Sequence, residues 1–232
     1  MGAVHAALSG RSAGPVFLPW VWELAAERAG IDVTAMAASP TELVSALSLT
    51  AELVESDAVV VLVDDLDAPA LEALRRLAAA AGRRDRVAVV PGPCLLAERR
   101  GLGDADDRDE AAEDLARAAL ETRVDVLALD EPRPDPSSAG CFRTLARMAA
   151  FHGARTLVIG PAAASFALDA GVDAVDCGPA GPLGAGVAVA APLGVPSGLA
   201  VVTTPWSPRS TDAEALRARA REVHGQRRDA VA

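Results

Sequence analysis

The sequence predicts an α/β fold: a (β/α)8 barrel of the TIM type, shortened, with reduced helices after strands 6 and 7. Three observations predict it. Short runs rich in Val and Leu recur eight times along the 232 residues. Most are apolar at every position rather than alternating, the pattern of strands covered on both faces. Segments rich in Ala, Arg and Glu, long enough for helices, separate most of them, which is the alternation of a parallel sheet.

Taken in order, the predicted strands are 14–19, 57–63, 86–91, 124–129, 154–160, 174–177, 186–191 and 199–204. A helix over 40–55 starts behind Ser39 as N-cap, with Pro40 in its first turn. Asp67 is placed to cap a helix over 68–81 that stops at Gly82. Further helices are expected over 108–122, 138–151, 162–170 and 211–223. The charge-dense stretch 99–110 reads as a polar loop after the third strand. The connections 179–185 and 192–198 are rich in Gly and Pro and too short for covering helices. Strands 7 and 8 would then show one apolar face, so the 179–202 edge is expected to pack on another subunit, as a homodimer or with a partner. The chain reads as a single domain spanning 1–232.

Composition removes whole classes of function. The chain has no Lys and no Tyr. Lysine Schiff-base chemistry, lysine-anchored pyridoxal phosphate and a phosphate loop that needs lysine are therefore excluded. No phenol is available as acid or base. A net charge of −10 argues against nucleic acid as a partner. Cys94, Cys141 and Cys177 are few and far apart, so a disulfide framework is not expected. No segment is apolar enough to cross a membrane, and 1–11 lacks the pattern of a signal peptide, so a cytoplasmic protein is expected.

In a barrel of this type, functional groups sit at the carboxyl ends of the strands. Those ends carry Trp20 and Trp22, Asp64 and Asp65, Cys94, Asp130 and Glu131, Cys177, and Thr203, Thr204 and Trp206. Asp64 and Asp130 stand two strands apart and are the candidate catalytic pair. Two carboxyl groups in a partly apolar site repel, so that one keeps its proton. Trp20, Trp22 and Trp206 suit a box for a flat or cationic small molecule, and Thr204 completes that rim. Asp65 and Glu131 are further candidate substrate contacts, and acidic residues at strand ends read also as helix caps or partners of Arg. Cys94 begins a helix and, with no His beside it, reads as a packing residue. His5, His152 and His224 make no ligand spacing with Cys, so no metal site is expected.

Several segments, in order, resemble the uroporphyrinogen decarboxylase superfamily, which includes cobalamin-dependent methyltransferases. Residues 23–64 are similar to its first helices and second strand. VPGPCLLA at 90–97 resembles the turn after its third strand. DVLALDEP at 125–132 resembles its fourth strand and acidic end. Residues 151–175 and 199–223 resemble later strands and the closing helix. The resemblance implies decarboxylation or methyl transfer on a small molecule, with Asp64 at the family's catalytic carboxylate. It implies that a corrinoid or tetrapyrrole is possible as a ligand, with no other cofactor expected. The family's arginine-rich substrate motif has no counterpart at 19–23. Its active-site tyrosine falls near Arg99, a candidate substrate contact, and its histidine near Trp206. The zinc ligands of the methyltransferase branch fall near Ile159, Pro161 and Trp206, so that site is lost. A non-catalytic binding or partner subunit is the alternative. A carbon–carbon lyase holding a divalent metal through Glu131 is the weaker third reading.

Overall fold

The computed structural model describes residues 2–11, 14–66, 69–80, 84–133, 135–160, 164–176, 187–190, 201–203 and 213–229. Among them lie eight strands: β1 (Val16–Leu18), β2 (Ala58–Leu62), β3 (Asp85–Pro91), β4 (Val126–Asp130), β5 (Arg155–Ile159), β6 (Ala174–Asp176), β7 (Val187–Ala190) and β8 (Val201–Thr203). They form a mixed α/β fold on one sheet of order β1-β8-β7-β6-β5-β4-β3-β2. β2 to β6 are mutually parallel, and β1 is parallel to β8. The arrangement is consistent with a TIM-type barrel.

The sheet departs from eight parallel strands at one place. β7 is antiparallel to both β6 and β8. A parallel return needs a crossover of a dozen or more residues, usually helical, whereas an antiparallel one needs only a hairpin. The short segments 177–186 and 191–200 suit the second. The brevity of the chain between β6, β7 and β8 thus accounts for the reversed direction of β7. Those connections lie outside the described residues, and with them most of the 179–202 edge, Asp67 and Gly82.

The helices are α1 (Ala3–Leu8), α2 (Trp22–Ala29), α3 (Val33–Ala38), α4 (Pro40–Leu53), α5 (Pro69–Ala79), α6 (Pro93–Arg100), α7 (Ala105–Glu121), α8 (Ala139–Phe151), α9 (Ala164–Asp169) and α10 (Ala213–Asp229). Ser39 caps α4 as expected, its hydroxyl accepting from the Glu42 amide at 3.3 Å. The 99–110 stretch is shorter as a loop than the sequence predicts. α6 runs through Arg100, and α7 starts at Ala105 behind Asp104, whose carboxylate accepts from the Asp106 amide. The acidic residues that made this stretch look like a loop sit in the first turn of α7, where the helix dipole favours them.

Double burial of the strands builds two cores. Val59, Val61, Val63, Ala88, Val90, Leu127, Leu129 and Val158 pack beneath the helices. The alternate positions, Val16, Leu18, Ala58, Val60, Val87, Val89, Val126, Ala128, Leu157 and Ile159, gather into a second cluster on the other side. Because β1 and β2 stand at opposite ends of the strand order yet share that cluster, the sheet must curl. Their ends touch: the Asp57 amide donates to the Phe17 carbonyl at 3.0 Å, and the Asp57 carboxylate accepts from the Phe17 amide at 2.8 Å. The same carboxylate lies 3.1 Å from His224 Nε2 and 3.6 Å from the Arg227 guanidinium on α10.

α1 lies at the amino-terminal end of the second cluster and adds Val4, Ala7 and Leu8 to it. Asp85 holds it there. Its carboxylate accepts from the amides of Val4 at 2.6 Å and His5 at 3.0 Å, capping a helix some eighty residues earlier in the chain. At the other end, Gly160 allows a close approach. A Cβ there would stand 2.1 Å from the Glu131 carbonyl oxygen, at φ +157°. Gly160→Ala is expected to cost about 2 kcal/mol or more in urea unfolding. Asp57→Ala, which strands the Phe17 amide and loosens α10, is expected to cost about 2 kcal/mol. Unchanged midpoints would contradict these contacts.

Candidate functional site

Strand parity selects the side chains at the carboxyl ends. Asp130 continues the row Val126, Ala128. Asp64 continues Ala58, Val60, Leu62. Trp20 continues Val16, Leu18. All three therefore belong to the inner row of their strands. Asp130 is in register with Pro91. Leu62 is in register with Val89, so the chain beyond β2 carries Asp64 to the same level. One strand separates β2 from β4, and strands lie about 4.8 Å apart.

The two aspartates differ sharply in surroundings. Asp130 is 8% exposed. Burial raises its carboxyl above the usual aspartate range; Arg99 acts in the opposite sense, and the Asp64 charge adds to the rise. Asp64 has a side chain 66% exposed and paired with Arg99 at 2.5 Å. The structure thus brings Asp64, Arg99 and Asp130 into one electrostatic group. Of the two candidate carboxyls, Asp130 is the one held toward its neutral form.

Arg99 arrives on α6, and Glu131 anchors that helix. Glu131 is fully buried. Its Oε2 accepts from the Cys94 amide at 2.8 Å and from Leu95 at 3.4 Å, so it caps α6 from the end of β4. Gly92 makes room, since a Cβ there would meet Glu131 Oε2 at 2.7 Å. Burial raises the Glu131 carboxyl, against the opposing amide bonds. The last turn of α6 then straps the strand ends. Glu98 pairs with Arg133 beyond β4, Arg99 with Asp64, and Arg100 with Asp65 at 3.3 Å.

Trp20 and Trp22 take packed positions. Trp20 is 6% exposed and belongs to the inner cluster. Trp22 is half-buried, and its Nε1 donates to the Val60 carbonyl at 3.0 Å. Thr204, Trp206 and Cys177 lie outside the described residues. No group of three or more His, Cys, Asp or Glu suited to a metal occurs among the described residues, and Glu131 there caps α6. A cleft of about 810 Å³ lies at the opposite, amino-terminal end, beside Arg84, Arg86 and Asp125. The Arg86–Asp125 pair at 2.9 Å forms part of its wall. The strand-end chemistry is elsewhere.

Sequence reasoning passed over Arg108 and Ser138. Arg108 stands where the predicted loop 99–110 and the predicted helix 108–122 overlap; it sits on α7 and is only 9% exposed. Ser138 is fully buried and shares a 3.3 Å hydrogen bond with the Cys94 thiol. Only the helix start at Gly92-Pro93-Cys94 hinted at this corner.

No protein-family model matches the chain, and no curated protein matches it in sequence. Among solved structures it is similar to a methyltransferase from Methanosarcina mazei. The identity is 17% and the TM-score 0.58, covering 75% of this chain and 74% of that one. At that identity the similarity shows a shared fold. No helix among the described residues is long and apolar enough to cross a membrane.

The Asp130 environment makes a stability prediction with a definite sign. A raised folded-state value means that ionisation costs stability as pH climbs above the ordinary aspartate range. Asp130→Asn removes that cost. Its melting temperature should match wild type near pH 4 and exceed it increasingly toward neutral pH. A variant less stable at neutral than at acidic pH, relative to wild type, would contradict the assignment.

Proposed function

We propose that the protein is a small-molecule enzyme of the uroporphyrinogen decarboxylase-like barrel type, with Asp130 as its proton donor. The observation that carries this reading is the buried Asp130 carboxyl, raised toward its neutral form, beside an exposed Arg99–Asp64 pair at the strand ends. A neutral carboxyl can protonate a heteroatom as its bond to carbon breaks. Arg99, about half exposed, retains donors for an anionic or lone-pair group on the substrate. Asp64 holds the guanidinium in place and balances its charge.

Methyl transfer is the reaction class to test first, because the similar solved structure is a methyltransferase. There the donor carboxyl would protonate the atom that loses the methyl group. Decarboxylation would use the same carboxyl to protonate the carbon that loses CO2, but no comparison favours it. Neither Trp20, which is packed away, nor Trp22, whose indole is tied to β2, offers a flat aromatic floor to a corrinoid or tetrapyrrole. The second reading is a non-catalytic binding subunit. It is favoured by Asp64 itself, the position of the family's catalytic carboxylate, which here is exposed and engaged by Arg99.

The test is turnover of 13C-methyl amines, thioethers and methoxy compounds, each with a thiol or reduced cobalamin added as acceptor and followed by NMR. Wild type should turn over at least one donor–acceptor pair. Asp130→Asn should lower the rate about 100-fold or more. Arg99→Gln should chiefly raise KM. Wild-type turnover in Asp130→Asn would remove its role. Saturable binding without turnover would favour the binding subunit.

A further inference from the structure

We propose that the cleft at the amino-terminal end of the sheet is a second binding site, one that takes the oxyanion of a small molecule between the Arg84 and Arg227 guanidiniums. This does not rest on the function proposed above. The cleft has a volume of about 810 Å³ and lies where α1, α4, α5, the start of β3 and α10 converge. That volume is in the range of small-molecule sites and far exceeds what a bare ion fills, so the ligand carries a body as well as a charge.

Three arginines line the cleft, and they are not equivalent. Arg86 is spent on the wall, its guanidinium donating to both Asp125 oxygens at 2.9 and 3.2 Å. Arg84 donates from Nε to the Ser56 carbonyl at 2.9 Å, which orients its guanidinium. Its ion pair with Glu52 stretches to 3.9 Å, and the Glu52 side chain is 66% exposed. Arg227 stands 3.6 Å from the Asp57 carboxylate, farther than a hydrogen bond reaches. Ser56 and Asp57 are consecutive residues ahead of β2, so one short segment brings both loosely paired guanidiniums to the same part of the cleft.

A guanidinium has donors and no acceptor, and its fork matches the edge of a carboxylate or a phosphate. The acids of the cleft compete weakly for it. Asp125 is held by Arg86, and the buried Asp85 carboxylate is held by the amides of α1. Glu52 and Asp57 stay close to the limit of an ion pair. An oxyanion that reaches both guanidiniums therefore gains bidentate contacts that neither acid makes. Val59, Leu77 and Ala78 add an apolar wall, which suits an apolar body on the ligand. The bound molecule would tie α10 to the chain leading into β3.

The test is NMR titration of the intact 15N-labelled protein with phenyl phosphate and with benzoate, using benzyl alcohol as the neutral control. At least one of the two anions should bind saturably, with a dissociation constant of about 1 mM or tighter. The shifts should centre on the amides of 56–57 and 84–86, and the tighter anion identifies the oxyanion. Arg84→Gln and Arg227→Gln should each weaken binding about 10-fold. Arg117→Gln, on the exposed face of α7, should leave it unchanged. Melting curves identify any variant that fails to fold, and the neutral control tests the idea on the wild-type protein alone. No saturable shift with either anion, equal binding of benzyl alcohol, or wild-type affinity in both folded arginine variants would overturn it.

Discussion

Burial of both faces of the same strands is the constraint on which the rest of this structure depends. A strand apolar at every position needs cover on each side. Helices supply one cover. The other is supplied by the sheet itself, curling until the alternate residues of β1 to β6 meet in a single cluster with α1 at its amino-terminal end. Asp57 sits where the curl brings β1 to β2 and joins them by a backbone and a side-chain hydrogen bond.

The candidate site follows from that curl. An inner row of Val, Ala and Leu must end where the strands meet solvent, and it ends on Trp20, Asp64 and Asp130. The same packing that hides the row leaves Asp130 desolvated, while Asp64, two residues beyond the end of β2, projects into solvent and finds Arg99. Asp130 is thereby biased toward its neutral state, while Asp64 stands in an exposed ion pair with Arg99. Two residues alike in sequence acquire different chemistry from their depth alone.

α6 joins this group to the Cys94–Ser138 contact behind it. Its amino end rests on Glu131, and its carboxyl end places Glu98, Arg99 and Arg100 across the strand ends. The acid that looked like one more charge in the DEP run is the anchor of the helix. Its partners are main-chain amides some forty residues earlier, and such a pairing leaves no local signature. The same holds for Asp85, whose carboxylate caps α1, and for Arg108, whose guanidinium reaches Asp135 beyond β4.

The amino-acid sequence by itself determined the eight strands, the main helices, the Ser39 cap and the set of residues at the strand ends. Each of these rests on local periodicity, composition or chain length, which a linear reading sees in full. The tertiary structure alone decided the reversed direction of β7, the depth that separates Asp130 from Asp64, the anchoring of α6 by Glu131, and the meeting of Cys94 and Ser138. These depend on desolvation and on contacts between distant segments, and both exist only once the chain has folded.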